Sequence, residues 1–268
     1  MPQLSTTSVL RNALEAFRGI VSQPMPTDPF ESLQWDMAGA HVLFVHVLLA
    51  IYEQANQVSK EKTEAFVGYA LVWYATLEHH HEYVPNLVWG VKMQIDGLLR
   101  YEETHYFDML SHKYDLRTVI STEHEAFHGG LHALHDYLVS CLPSGTTYGF
   151  GDKVAPLHEQ AVYDGEKLRS LVDTFAEPMA DHFIQEVDYL DPTKMRAEGV
   201  TEHDVRHVSE ESAKKIATLP LTTAVTFVVM ASPRWTTFPP VPPLLKNLLV
   251  PYVFYYANRH LWQFIRQE

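Results

Sequence analysis

The chain has 268 residues, 46% of them hydrophobic, and a formal net charge of −13 at pH 7. This composition is typical of a globular protein, and the acidic balance disfavours a nucleic-acid partner, because it repels the phosphate backbone. The N-terminus lacks the pattern of a signal peptide, and we find no run of about 20 apolar residues that would span a membrane. One cysteine, Cys141, excludes an internal disulfide. We therefore expect a soluble, cytoplasmic protein.

Four long helical patterns follow a short helical segment that ends at "PMPTDPF". Apolar residues recur every three to four positions in them, as on amphipathic helices. The predicted helices run from about Trp35 to Gln57, Lys60 to Met93, Thr118 to Cys141 and Pro156 to Leu190. No part of the chain reads firmly as a strand. We predict an all-α fold centred on a four-helix bundle.

The C-terminal part contains shorter elements. Thr201 is the predicted capping residue of a short helix. The stretch "SPRWTTFPPVPPLL" is rich in proline, but its Trp235 and Phe238 indicate packing against the body. The predicted organisation is an N-terminal segment (1–30), a bundle (31–192) and a C-terminal extension packed on it (193–268).

Sixteen histidines make the sequence unusual, and histidine is the commonest metal ligand. Positions i, i+3, i+4 and i+7 of a helix share a face. His124 and His128 therefore lie together on the apolar stripe of the third helix, as do His182 and Glu186 on the fourth. His41 lies on the apolar stripe of the first.

The second helix carries three consecutive histidines in "TLEHHHEYVP". His80 and His81 flank the apolar face, so His80 is the candidate metal ligand of this helix, with His81 second, whereas His79 and Glu82 fall on the solvated side. Glu82 could turn inward only if Pro85 kinks the helix.

One inward histidine is more often a satisfied core residue than a ligand. Inward histidines on four helices, one with a carboxylate a turn away, indicate a metal ion, because burying such groups without partners costs several kcal/mol. Imidazole with a few carboxylates suits iron, zinc, copper or nickel, and a bundle with inward His and Glu pairs favours iron. His81 and His135 are candidates to orient the ligands by hydrogen bonds.

Three segments of the chain, in this order, resemble the hemerythrin-like, HHE cation-binding proteins, specifically their long fungal-type members. They are "MAGAHVLFVHVLLAIYEQA", "EHEAFHGGLHALHDYL" and "LRSLVDTFAEPMADHFIQEVDYL". The tail, with "RWTTFPPVPP" and "HLWQF", is also similar, so the resemblance covers about residues 30–268. It implies iron (Fe²⁺/Fe³⁺), with dioxygen as ligand or co-substrate. The implied ligands are His41, His124, His128, His182 and Glu186.

The second helix departs from that family, whose members have a tryptophan, a histidine pair and then a glutamate pair. With Trp73 on that tryptophan, His80 and His81 fall on the histidine pair, but Val84 stands where a bridging glutamate is expected. The resemblance then allows an asymmetric diiron site, one iron, a site redirected to catalysis, or rescue by Glu82. A long insertion between the second and third helices is a further departure.

Three functions stay open. The first is a non-haem iron oxidase or oxygenase acting on a small organic substrate, with the insertion and the C-terminal extension walling a pocket. The second is a non-catalytic carrier or sensor of dioxygen, nitric oxide or iron. The third is a scaffold whose metal site is partly lost. We favour the enzyme, because an oxygen carrier needs only a minimal bundle and about half the length of this chain goes beyond that. That extra length could equally serve contacts in a homo-oligomer.

Overall fold

The structure is a computed structural model that describes residues 4–81, 110, 113 and 117–266. This part of the chain is mostly helical, in agreement with the predicted all-α class. Its helices are α1 (Thr6–Val21), α2 (Pro29–Gln54), α3 (Thr63–His81), α4 (Arg117–Ser140), α5 (Gly165–Asp173), α6 (Ala176–Tyr189), α7 (Pro192–Ala197), α8 (Glu202–Ile216), α9 (Thr226–Ala231), α10 (Val250–Tyr252) and α11 (Arg259–Trp262).

Short irregular elements connect these helices. Single 3₁₀ or π-helical turns lie at Ala55–Gln57, Lys60–Lys62, Leu221–Val225, Leu245–Leu249 and Phe254–Asn258. Two short strands pair antiparallel in the glycine-rich loop after α4, β1 (Thr147–Tyr148) and β2 (Asp152–Lys153).

Helix α2 begins earlier than the sequence analysis expected. The Asp28 side chain accepts hydrogen bonds from the backbone N–H groups of Phe30 and Glu31, and Pro29 occupies the first turn. This arrangement satisfies donors that an uncapped helix would leave without partners, so the helix starts at Pro29 and not at Trp35.

Helix α2 is also more apolar than the sequence analysis recognised. Together with the turn that follows it, Pro29–Gln57 is long and apolar enough to cross a membrane by length and composition. The bent pair α8 and Leu221–Ala231 passes the same test only if it is counted as one span. However, 89% of the most apolar window of α2 is buried inside the protein, as in the core helix of a soluble protein.

Four helices enclose the centre of the molecule. Helix α2 packs against α3 and α6, and α4 also packs against α3 and α6. The buried indole N–H of Trp73 in α3 donates a hydrogen bond to the Phe44 carbonyl of α2, at 3.0 Å. Helix α1 covers α2 and α6 with Leu10, Leu14 and Phe17, which recur at helical spacing on its buried face.

The predicted fourth helix is wrong in its extent. It begins at Gly165, capped by Asp164, and it is interrupted between α5 and α6. At the break, the Thr174 hydroxyl donates to the Leu171 carbonyl, so the side chain satisfies a group at the end of α5. The buried Phe175 that follows lies against Gly130 of α4, where any larger residue would clash.

The C-terminal part packs on α1 and α2. The capping box of Thr201 and Asp204 opens α8, as the sequence predicted for Thr201. The Pro-rich segment (residues 232–243) follows α9, and its Phe238 ring lies 5.9 Å from the Trp35 ring, over Gly39. A Cβ atom at Gly39 would come within 2.3 Å of the Phe238 ring, so this close approach requires glycine.

Most of the predicted insertion and the end of the predicted second helix lie outside the described residues. So do Glu82, Val84 and Pro85. The predictions that rest on them stay predictions.

Candidate metal centre

Five histidines and one glutamate converge where α2, α3, α4 and α6 meet. All are buried except His80, which is half-buried. The residues are His41 of α2, His80 and His81 of α3, His124 of α4, and His182 and Glu186 of α6. Helical spacing places them, because each lies on the inward face of its helix.

The first half of the centre is built around His41. Its Nδ1–H donates to the Phe183 carbonyl at 3.2 Å, and the Phe183 ring stacks on it at 4.1 Å between centroids. This hydrogen bond leaves Nε2 as an acceptor in the neutral ring. The His41 Nε2 atom points at Glu186 Oε2, 3.1 Å away, and lies 3.4 Å from the Nε2 of His80.

The second half is built around His182. Its Nδ1–H donates to Glu123 Oε2 at 3.0 Å, and the Tyr189 hydroxyl donates to the other oxygen of Glu123 at 2.7 Å. In the neutral ring, the hydrogen bond to Glu123 leaves the His182 Nε2 atom as an acceptor, 3.6 Å from Glu186 Oε2 and 3.0 Å from the Nε2 of His124. His81 completes this half, since His81, His124 and His182 offer ring nitrogens that all lie within 4.8 Å of one another.

Burial keeps two histidines of the centre neutral. Burial, and then the neighbouring His80 and His182, hold the pKa of His41 well below its ordinary value of 6.5. The pKa of His81 is held well below that value mainly by burial, and then by His124 and other histidines. His41 is therefore neutral at pH 7, and its short contact with Glu186 is not an ion pair.

Electrostatics make this arrangement suited to a cation. Two acceptor nitrogens, one from His41 and one from His182, face the same oxygen of Glu186. Acceptors that face one another repel, whereas a positive ion between them would be attracted to all three.

The spacing of the donor atoms also fits a metal ion. Nitrogen ligands at roughly 2.1 Å from one ion lie about 3.0–3.4 Å apart. The His124–His182 and His41–His80 nitrogen pairs are 3.0 and 3.4 Å apart, respectively. The residues present therefore fit a centre of imidazole and carboxylate ligands.

Not every predicted ligand joins this cluster. Among the described residues, His128 is not in the close histidine group, and its Nδ1 instead lies 3.0 Å from the Nε2 of His132. One helical turn, about 6 Å of rise, separates it from His124. His135 contacts the Tyr74 ring and Asp136, which are not members of the cluster. His81, predicted only to orient ligands, lies inside the cluster.

Glu123, which the sequence patterns did not reveal, orients His182. Burial alone would raise the pKa of Glu123, but its hydrogen bonds with His182 and Tyr189 outweigh burial and hold the pKa below its ordinary value. Glu123 therefore accepts these bonds as an anion. In the sequence, Glu123 is distinguished only by its position next to His124. Adjacent residues point in different directions on a helix, so the helical faces alone do not place it near His182.

The solvated position expected for His79 was wrong. His79 is half-buried and lines a cavity of about 380 Å³ between α2, α3 and the C-terminal part. Burial, followed by the charge of Lys215, lowers the pKa of His79 to about 4. His80 lines the same cavity, so the cavity borders the histidine cluster.

Compared with known proteins, the chain matches no protein-family model, no curated protein and no solved structure.

Proposed function

We propose that the protein is a non-haem iron protein of the hemerythrin-like type, in which α2, α3, α4 and α6 form the four-helix bundle. The observation that carries this proposal is the position of Glu186, whose Oε2 faces both His41 and His182. This carboxylate would be a ligand in both halves of the centre. One ion would be held by His41, His80 and Glu186, and the other by His81, His124, His182 and Glu186.

The order of the sequence motifs supports the same proposal. The resemblance implied ligands from all four helices, and the cluster draws on all four. His81 takes part where the resemblance implied His128. Among the described residues of the cluster, Glu186 is the carboxylate on which a dinuclear centre would depend.

We propose further that the protein uses dioxygen to oxidise or oxygenate a small organic molecule. Iron supplies redox chemistry with dioxygen when it is bound. The chain contributes a buried centre, neutral imidazoles at His41 and His81, and a Glu123 that fixes the orientation of His182. The cavity beside His80 gives an organic molecule a place next to the ligands, and this cavity favours an enzyme over a carrier.

A second candidate function is reversible binding of dioxygen or nitric oxide without turnover. The depth of the centre favours it, because His41 and Glu186 are both 0% exposed. A centre of this depth is suited to small gaseous ligands.

Metal content after anaerobic iron loading tests the metal centre. We expect close to two irons per chain in the wild type, and a loss of at least one in His182→Ala. The matched control is His203→Ala, an exposed histidine of α8, which should retain the wild-type content. One iron in the wild type would restrict the proposal to a mononuclear site, and no iron would refute it.

Dioxygen consumption separates the two functions. An enzyme should consume dioxygen continuously when a reductant and an organic substrate are present. A carrier should instead give a stable spectral change that reverses when dioxygen is removed.

A further inference from the structure

The cavity of about 380 Å³ beside the cluster has mainly apolar walls. Met37 and Phe44 of α2 form one side, and Val229 and Val241 of the C-terminal part form the other. A dry cavity of about 150 Å³ is large enough for benzene, so this one has room for a molecule of about two rings. An apolar cavity of this size is suited to a small organic ligand.

A few polar groups interrupt these walls. The Asp36 carboxyl lines the cavity, and burial raises its pKa to about 6. Two further polar atoms, His79 Nε2 and Ser212 Oγ, are buried without a hydrogen-bond partner among the described residues, and both residues line the cavity. By contrast, the Ser209 hydroxyl on the same wall already donates to the Val205 carbonyl.

The polarity of these groups indicates what the ligand must offer. His79 donates a hydrogen bond to the Lys215 backbone carbonyl, so its Nε2 is an acceptor, and the Asp36 carboxylate is also an acceptor. The ligand must therefore carry a hydrogen-bond donor. Because the Lys215 side chain lines the same cavity, a neutral hydroxyl suits it better than an ammonium group, which Lys215 would repel.

We propose that this cavity binds an apolar organic molecule of about two rings that carries a hydroxyl group, and that Asp36 accepts the hydrogen bond of that hydroxyl. Its role as the substrate site rests on the proposed function, because the cavity reaches the centre through His80. The binding itself does not depend on metal, since the lining is complete in the chain.

Titration of the full-length protein with 2-naphthol and naphthalene tests the proposal. Both probes fluoresce, and they differ by one hydroxyl group. At pH 7.5, above the pKa of Asp36, the wild type should bind one 2-naphthol per chain and prefer it about tenfold over naphthalene. In Asp36→Leu this preference should disappear while naphthalene still binds. Equal affinity of the wild type for both probes would overturn the assignment of the hydroxyl group.

A second pair of variants tests whether 2-naphthol binds in this cavity. Ala213 lines the cavity and is exposed, so Ala213→Trp should fill the space without disturbing the core. We expect it to weaken 2-naphthol binding at least tenfold. The matched control is Ala217→Trp, an exposed alanine just past the end of α8 and outside the lining residues. Unchanged binding in Ala213→Trp would refute binding in this cavity.

Iron content measured on the same samples distinguishes this inference from the proposed function. Binding of 2-naphthol without bound iron would support the cavity assignment and refute the metal centre. Bound iron without 2-naphthol binding would refute the cavity assignment alone.

Discussion

Replacing Glu186 by glutamine should stabilise the metal-free protein, and iron should remove most of this gain in stability. Without metal, the buried carboxylate faces acceptor nitrogens of His41 and His182 at 3.1 and 3.6 Å. It must either remain charged or bind a proton. Keeping a negative charge at a fully buried site that faces two acceptor nitrogens costs about 3–5 kcal/mol. Binding one proton at pH 7 costs a glutamate about 3.7 kcal/mol.

Glutamine avoids both costs and can donate N–H groups to the two nitrogens. We therefore expect metal-free Glu186→Gln to be about 3 kcal/mol more stable than the metal-free wild type. Iron should reverse part of this difference. At a free concentration 100 times the dissociation constant, iron would stabilise the wild type by about 2.7 kcal/mol, and it should add little to the variant.

The assay is urea unfolding of both proteins at pH 7, with a chelator and then with anaerobic Fe²⁺. The control is Glu177→Gln, the same substitution at an exposed position of α6, which should change stability by less than about 1 kcal/mol in either condition. A metal-free Glu186→Gln less stable than the wild type would show that the carboxylate has a structural role, and would refute the electrostatic argument for a cation.

Three further predictions concern groups around the centre. Because burial raises the pKa of Asp36 from 3.8 to about 6, the folded state holds the proton more tightly than the unfolded chain. As the pH rises from 4 to 6, the wild type should thus lose stability. The stability of Asp36→Asn relative to the wild type should increase by up to about 3 kcal/mol by pH 7, as measured by urea unfolding. Glu123→Gln weakens the bond that orients His182 and should lower metal affinity about tenfold, measured by competition with a chelator. Gly39→Ala should lower the free energy of unfolding by about 1–3 kcal/mol, because its Cβ would lie 2.3 Å from the Phe238 ring. Gly19→Ala, whose Cβ would have no neighbour within 4 Å, should raise it by about 1 kcal/mol, and thermal unfolding measures both.

Each of these predictions has a result that would contradict it. A pH-independent difference for Asp36→Asn would mean that its carboxyl is solvated. Unchanged metal affinity in Glu123→Gln would mean that packing alone orients His182. Equal effects of the two glycine substitutions would show that the Pro-rich segment does not pack closely on α2.

Helical periodicity predicted four of the inward side chains, but it also placed His128 on the inward stripe, and His128 lies outside the close histidine group. His41, His124, His182 and Glu186 all lie on apolar stripes in the sequence, and all are buried. The reason is physical: on an amphipathic helix, a polar residue within the apolar stripe has no other direction to point.

Helical periodicity could not predict features that depend on contacts with other segments, such as the burial of His79 and the break after α5. His79 lies off the main stripe of α3, but the C-terminal part covers that side and buries it. The interruption after α5 depends on a side-chain hydrogen bond of Thr174, and the fit of Phe175 depends on Gly130 of another helix. These contacts join residues that are distant along the chain, so a single helix gives no sign of them.

The cavity wall and the histidine cluster are built from different parts of the chain. The cluster residues lie on α2, α3, α4 and α6, whereas much of the cavity wall comes from α8, α9 and the Pro-rich segment. Substitutions at wall positions such as Ile216 or Val241 can reshape the space beside His80 without touching any cluster residue. This separation makes the C-terminal part a natural place to redesign ligand selectivity, because the histidine cluster can be kept constant while the wall is varied.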